Sequence, residues 1–253
     1  MSELSRKELQ LEALRSALDG GTLRPAQRML TGLHPAEIAL LLESVPPRQR
    51  ELVWNMVDPE LEGDVLLELS EGVRQELIEE METEELVAAA EGMELDDLAD
   101  LVRELPETVT MQVLRSMDQR DRERLRNVLS WPEDSAGGLM NTDTVSVRPD
   151  VTLEVVLRYL RMRGELPSRT DSLFVVDRDD RYLGTILLTR IITGDPENTV
   201  GDSLDTDAPR IEPDMPAHDV ARLFQERDLV SAAVVDSSGS LLGRITIDDV
   251  VDV

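Results

Sequence analysis

At 253 residues the chain has room for one or two domains, and with 41% hydrophobic but only 2% aromatic residues its core must be built from Leu, Val, Ile, Ala and Met. It has no Cys and two His, which excludes disulfides, thiol catalysis and the usual zinc clusters. A net charge of −27 repels nucleic acid and acidic lipid and selects hard cations or basic proteins as partners.

In chain order, residues 3–18 have the apolar spacing of an amphipathic helix stopped by Gly20-Gly21. Their charged start lacks the apolar core of a signal peptide. No later apolar run reaches the roughly 20 residues that span a bilayer, so the chain is expected to be soluble. His34-Pro35 opens a helix carrying Ile38, Leu41, Leu42 and Val45, which Pro46-Pro47 ends. Arg48–Val57 is the next helix, closed by Asp58-Pro59. The two His sit beside Pro at helix starts, where capping or surface roles are expected.

The stretch Asp58–Glu107 then holds nineteen Asp and Glu against two Arg, which concentrates −17 of the −27 in that one region. Within it the first pattern returns. Residues 38–46 align with residues 98–106 at an offset of sixty, and Asp64–Leu69 and Val73–Met81 read as degenerate units between them, a period of roughly thirty. Short helices repeating in this way bury their stripes only by stacking, so residues 1–130 are predicted to form an all-α superhelical, solenoid-like domain. Met56, Met81, Met93, Met111 and Met117 fall at helical spacing and are expected to fill its core.

At residues 131–140, Trp-Pro-Glu-Asp-Ser-Ala-Gly-Gly-Leu-Met, the pattern changes to short β-branched strands alternating with helices. Strands are predicted at Thr144–Val147, Leu173–Asp177, Tyr182–Leu187, Ala232–Asp236 and Leu241–Thr246. Helices are predicted at Leu153–Met162, Leu188–Ile192 and Ala217–Arg227. Val175-Val176-Asp177 and Gly184 return as Val234-Val235-Asp236 and Gly243, both at an offset of 59. Pro149-Asp150 returns as Pro213-Asp214 at an offset of 64, so the first copy carries five extra residues near 164–169.

Carboxylates without Cys or clustered His suit Mg²⁺, Ca²⁺ or Mn²⁺, and the Asp-Arg-Asp-Asp run at 177–180 lacks the Gly and distal Glu of a calcium loop. Mg²⁺, which keeps several waters, best suits carboxylates scattered over two domains. Asp96 and Asp100 are four apart on one helix face, and Asp249 and Asp252 follow the last strand. Like charges of this kind force surfaces apart, and a bridging cation reverses the sign. The glutamates between 76 and 85 read as solvated surface. No nucleophile–base pair or phosphate loop stands out, so an enzyme is not expected.

The doubled βαββα unit, ending Gly243-Arg244-Ile245-Thr246-Ile247-Asp248-Asp249, resembles a tandem pair of CBS domains. The junction at 131–140 and the helical region before it resemble MgtE-type magnesium channels. This implies a mixed fold, an all-α superhelical N domain over 1–130, a junction over 131–139, and an α/β CBS pair over 140–198 and 199–253. In that family a connecting helix and a transmembrane pore follow the CBS pair. The chain is therefore expected to be the regulatory portion at the cytoplasmic face of the membrane, a homodimer through its CBS domains, acting on a pore it does not contain.

The resemblance implies that Mg²⁺ bridging acidic N-domain and CBS surfaces stabilises a compact closed state, with Asp96, Asp100, Asp249 and Asp252 as metal residues and Asp228 as a further point. It also implies an adenine-nucleotide alternative. Gly243-x-x-Thr246-x-x-Asp249 matches a pattern in which Thr246 approaches phosphate and Asp249 holds the ribose of ATP, against the simpler reading of Thr246 as a helix N-cap. A third reading is a scaffold whose acidic helices dock a basic protein.

Overall fold

The computed structural model describes residues 30–90 and 93–251. The helix read over 3–18 lies outside them, as does Asp252.

The helical part is governed by a spacing of twelve. Helical elements begin at Pro35, Pro47, Pro59, Glu71, Thr83, Leu95, Glu107 and Gln119, each twelve positions after the last. They are α1 (Pro35–Ser44), α2 (Pro47–Trp54), a 3₁₀ turn at Pro59–Leu61 running into α3 (Glu62–Leu67), α4 (Glu71–Glu80), α5 (Thr83–Ala90), α6 (Leu95–Glu104), α7 (Glu107–Ser116) and α8 (Gln119–Leu129). The residue before each start is drawn mostly from Pro, Asp, Ser and Glu, which stop one helix or cap the next. At His34, which precedes α1, the backbone N–H donates to Glu37 at 3.0 Å.

One apolar position keeps the same spacing. Leu41, Val53, Val65, Leu77, Ala89, Leu101, Val113 and Leu125 are all buried. The period is therefore twelve per helix and twenty-four per pair, not thirty. The offset of sixty seen in the sequence is five helices, and the supposed unit of thirty is not a whole number of them. The methionines also depart from expectation: Met111 is 47% exposed, and Met56, Met81, Met93 and Met117 are only half-buried.

The chain divides into two compact units, the first containing residues up to Met93 with Asp100–Asp118, the second Glu94–Ala99 with Gln119 onward. In the first, α1 packs on α3, α3 on α5 and α5 on α7, so helices two apart in sequence stack, as in a solenoid. Two ion pairs with largely covered arginines tie the stack: Arg50 with Glu76, and Arg74 with Glu104 at 3.1 Å.

The second unit holds α9 (Ala136–Leu139), β1 (Ser146–Val147), α10 (Leu153–Arg163), β2 (Ser172–Val176), β3 (Tyr182–Leu187) and α11 (Leu188–Thr193). A 3₁₀ turn at Val200–Ser203 leads to the second copy, β4 (Arg210–Ile211), α12 (Ala217–Arg227), β5 (Ser231–Val235), β6 (Leu241–Thr246) and α13 (Ile247–Val251). The strands form two sheets, ordered β1-β2-β3 and β4-β5-β6, each with a parallel first pair and an antiparallel second. The register slips between Val175 and Val176 in one and between Val234 and Val235 in the other. These are equivalent positions of the two copies, so even the irregularity is duplicated.

The copies also exchange edges. Thr185 on β3 pairs through both backbone groups with Asp205, which leads into the second copy, while Arg244 on β6 pairs with Asn141, which leads into the first. The junction is fixed beside them. Ser135 caps α9, and Ala136 and Gly137 donate to the carbonyls of Met215 and Pro213, each at 2.8 Å.

Gly63 marks a close approach in the stack: a Cβ there would stand 2.5 Å from the carbonyl oxygen of Ala89. Gly63→Ala is expected to destabilise the first unit by about 1–3 kcal/mol in urea unfolding, through overpacking. Gly72→Ala, at a helical position with open space around it, is expected to stabilise it by roughly 0.5 kcal/mol.

Candidate cation-binding site

Helix α6 buries Leu98, Ala99, Leu101 and Val102 and carries Asp96, Asp97 and Asp100 around its other side. The division between the two compact units falls within this helix, after Ala99. Asp100 goes with the first unit, where it pairs with Arg103 at 2.5 Å one turn on. Asp96 belongs with the second and is 8% exposed.

In the second unit Asp96 meets the end of the last strand. The turn from β6 into α13 is a local cap: the Thr246 backbone N–H donates to Asp249 Oδ2 at 2.7 Å, and its hydroxyl to Asp249 at 3.2 Å and to Asp248. This holds Asp249, half-buried, in the first turn of α13. Desolvation pushes the Asp249 carboxyl up to about 6. Desolvation also raises Asp96 well above the usual carboxylate range, and Asp249, Asp97 and Glu94 add to it in that order. The structure thus brings together two of the predicted residues, Asp96 and Asp249, from segments far apart in the chain.

The remaining candidates stand differently. Asp228 is exposed and ends α12 in the left-handed conformation, φ 50°. Thr246 is buried just before α13, its hydroxyl already directed at two carboxylates. His218 is exposed on α12 next to Asp219.

Several residues of this site went unread in the sequence. Glu94 accepts from Asn141 Nδ2 at 2.6 Å and from the Ser168 hydroxyl. Asn141 Nδ2 also lies 3.2 Å from Asp96 Oδ1. Arg244, 4% exposed, donates to the Ser168 carbonyl at 2.8 Å and stands 3.9 Å from Glu94. Arg169 pairs with Asp248. The extra segment of the first copy is therefore the loop that brings Ser168 and Arg169 to the site. Two signals were available: Glu94 occupies the cap position of the twelve-residue series, and Asn141 follows the junction directly.

The atoms here that a hard cation could take are carboxylate oxygens, with the Arg244 and Arg169 guanidiniums and the Asn141 N–H group beside them. Among the described residues no three His, Cys, Asp or Glu converge closely enough to hold a metal ion by themselves. The arrangement fits Mg²⁺ taken by one or two carboxylates with the rest of its shell as water, and does not fit an all-protein cage.

Residues 33–134 match the model of the MgtE intracellular N domain, and residues 136–196 and 200–253 each match the CBS domain. The chain belongs to the MgtE family. It is 30% identical over 244 residues to the magnesium transporter MgtE of Thermus thermophilus, covering 95% of this chain and 54% of that protein. To the MgtE of Bacillus subtilis it is 25% identical over 236 residues, 93% and 52%. It spans about half the length of the curated relatives it matches. A crystal structure of the cytosolic domain of the Mg²⁺ channel MgtE in complex with ATP is 29% identical, with a TM-score of 0.86, covering 96% of this chain and 99% of that one. The helical N domain followed by an α/β CBS pair is the fold read from the sequence, and both MgtE modules are regulatory, not enzymatic. No helix among the described residues is long and apolar enough to cross a membrane.

A raised carboxyl favours the folded state when protonated. The Asp249 contribution is fully present below its ordinary value of 3.8 and is lost as pH rises through about 6. In EDTA, Asp249→Asn, which keeps an acceptor for Thr246, is expected to exceed the parent chain in stability at pH 7.5 by roughly 2 kcal/mol, a gap that narrows toward pH 4. Urea midpoints of the two proteins across that range check this.

Proposed function

We propose that the chain is the magnesium-sensing, gating portion of a magnesium transporter, acting at the cytoplasmic face of the membrane on a transmembrane pore. In this reading Mg²⁺ at acidic N-domain and CBS surfaces stabilises a compact closed form. Two lines support it. The relatives are magnesium transporters, and Asp96 and Asp249 lie close together in a poorly solvated place, each with its carboxyl raised. The second observation carries the reading. Carboxyls held in such a place resist ionisation, and a divalent cation relieves that cost only while the segments bearing them stay together. The ion therefore binds the docked arrangement better than the undocked one, which is the condition for shifting a conformational equilibrium. Asp100, Asp252 and Asp228 are proposed as further acidic points drawing the ion, and pairing of two copies through the CBS domains is proposed as the working assembly.

An adenine nucleotide is the second reading, favoured by the ATP complex of the similar cytosolic domain. It would engage Thr246 and Asp249, and the Thr246 hydroxyl would have to leave Asp248 and Asp249 to meet a phosphate.

Small-angle scattering against Mg²⁺ tests the first reading. The radius is expected to fall with a midpoint in the range of roughly 10⁻⁴ to 10⁻² M, as for weak hard-cation sites. Asp96→Ala should abolish the fall, and NaCl at equal ionic strength should not reproduce it. A flat radius, or the same response to NaCl, overturns the sensing function. Nucleotide binding lost in Thr246→Ala without any Mg²⁺ response would put the second reading in its place.

A further inference from the structure

The duplicated fold compares two equivalent positions. Asn141 and Asp205 each lie in the segment that leads into one copy while pairing with the last strand of the other. Asp205 exchanges backbone hydrogen bonds with Thr185 at 3.0 and 2.8 Å, and Asn141 with Arg244 at 2.8 Å both ways. Gly184 and Gly243, equivalent in the two copies, make room for them, since a Cβ would collide with the Asp205 carbonyl or stand 2.7 Å from the Asn141 oxygen. The backbone slot is the same, but its surroundings are not. Asp205 is exposed, whereas Asn141 is 3% exposed and faces Glu94 and Asp96.

An aspartate at 141 would add a carboxylate to this cluster. An amide instead supplies a donor, and Asn141 uses both ends of its side chain: Nδ2 reaches both carboxylates and Oδ1 accepts from the Asp143 N–H at 2.8 Å. Arg244, its backbone partner, adds a buried positive charge and holds the loop whose Ser168 bonds Glu94. Asn141 is thus fixed at its backbone by β6 and at its side chain by Glu94 and Asp96.

We propose that Asn141 is a metal-independent latch, a positioning residue whose neutral amide holds residues 94–99 on the second unit before any cation arrives, so that Mg²⁺ reinforces a contact already made. The proposal deepens the magnesium reading and rests on it only for the role given to the ion. The latch itself is judged without metal.

The test is hydrogen–deuterium exchange of the 253-residue chain, followed at the backbone amides of residues 97–100, in EDTA and in saturating Mg²⁺. In EDTA, Asn141→Ala and Asn141→Asp are each expected to exchange there about tenfold faster than the parent chain, the size expected for losing charge-assisted hydrogen bonds. In Mg²⁺ only Asn141→Asp should return to the parent rate, because its added carboxylate gives the ion a ligand where the amide gave a donor. Parent-like rates for both variants in EDTA overturn the latch. An Asn141→Asp chain that stays fast in Mg²⁺ while the parent responds overturns the placement of Asn141 at the ion's contact. The β5 amides of Ala232–Val235 report the fold. If they too accelerate, Glu94→Ala, at a half-exposed position, replaces the Asn141 variants: fast exchange confined to residues 97–100 supports the latch, and parent-like rates overturn it. A parent chain indifferent to Mg²⁺ sinks the sensing function, and the EDTA comparison still decides the latch.

Discussion

Two carboxylates with raised pKa values, Asp96 buried and Asp249 half-buried, stand close together in the second unit. They come from distant parts of the sequence, and the presence of Asp249 makes Asp96 costlier to ionise than burial alone would. The chain surrounds them with donors: the Asn141 amide, the Thr246 hydroxyl and N–H, and the Arg244 guanidinium held behind Ser168. These satisfy hydrogen bonds and only partly balance charge. Such an arrangement holds together with some unfavourable repulsion left in it.

The geometry of the CBS pair makes this arrangement possible. Because the copies exchange edge segments, the residue leading into the first copy sits on the last strand of the second. Asn141 and Asp249 therefore share one end of one sheet, although nearly the whole of both copies separates them in the sequence. The extra loop of the first copy closes over the same end through Ser168 and Arg169. Duplication supplied a symmetric frame, and the site occupies the places where the symmetry fails: an amide against an acid, an arginine at 244 against Thr185, an inserted loop against none.

Much of this was legible in the sequence. Alternating β-branched runs with turn residues between them placed β3, β6 and α12 at their observed bounds, because half-buried strands and amphipathic helices leave periodic marks. The strand-to-helix turn at Thr246 was legible as well. The helical period was misread because its strongest match spans five helices. The true period shows as a column of single apolar residues, Leu41 through Leu125, whose identity drifts among Leu, Val and Ala. Asp96 and Asp100 do lie on one helix, but helical spacing does not say which neighbour a face meets. Asn141 and Arg244 were invisible as site residues, since an amide and a strand arginine acquire meaning only from the partners that folding brings to them.

The regular stack has a consequence for how such a protein can change its length. With one helix every twelve positions and α1, α3, α5 and α7 in a single row, growth comes in fixed steps. A segment of any other length rotates every later helix out of its row and exposes the buried column. A step of twelve preserves the column but moves α6 into the place of its odd-numbered neighbours, carrying Asp96 away from the end of β6. Only a step of twenty-four preserves both, so whole helix pairs are the smallest pieces by which this domain could be lengthened or shortened while its carboxylate stays at the sheet.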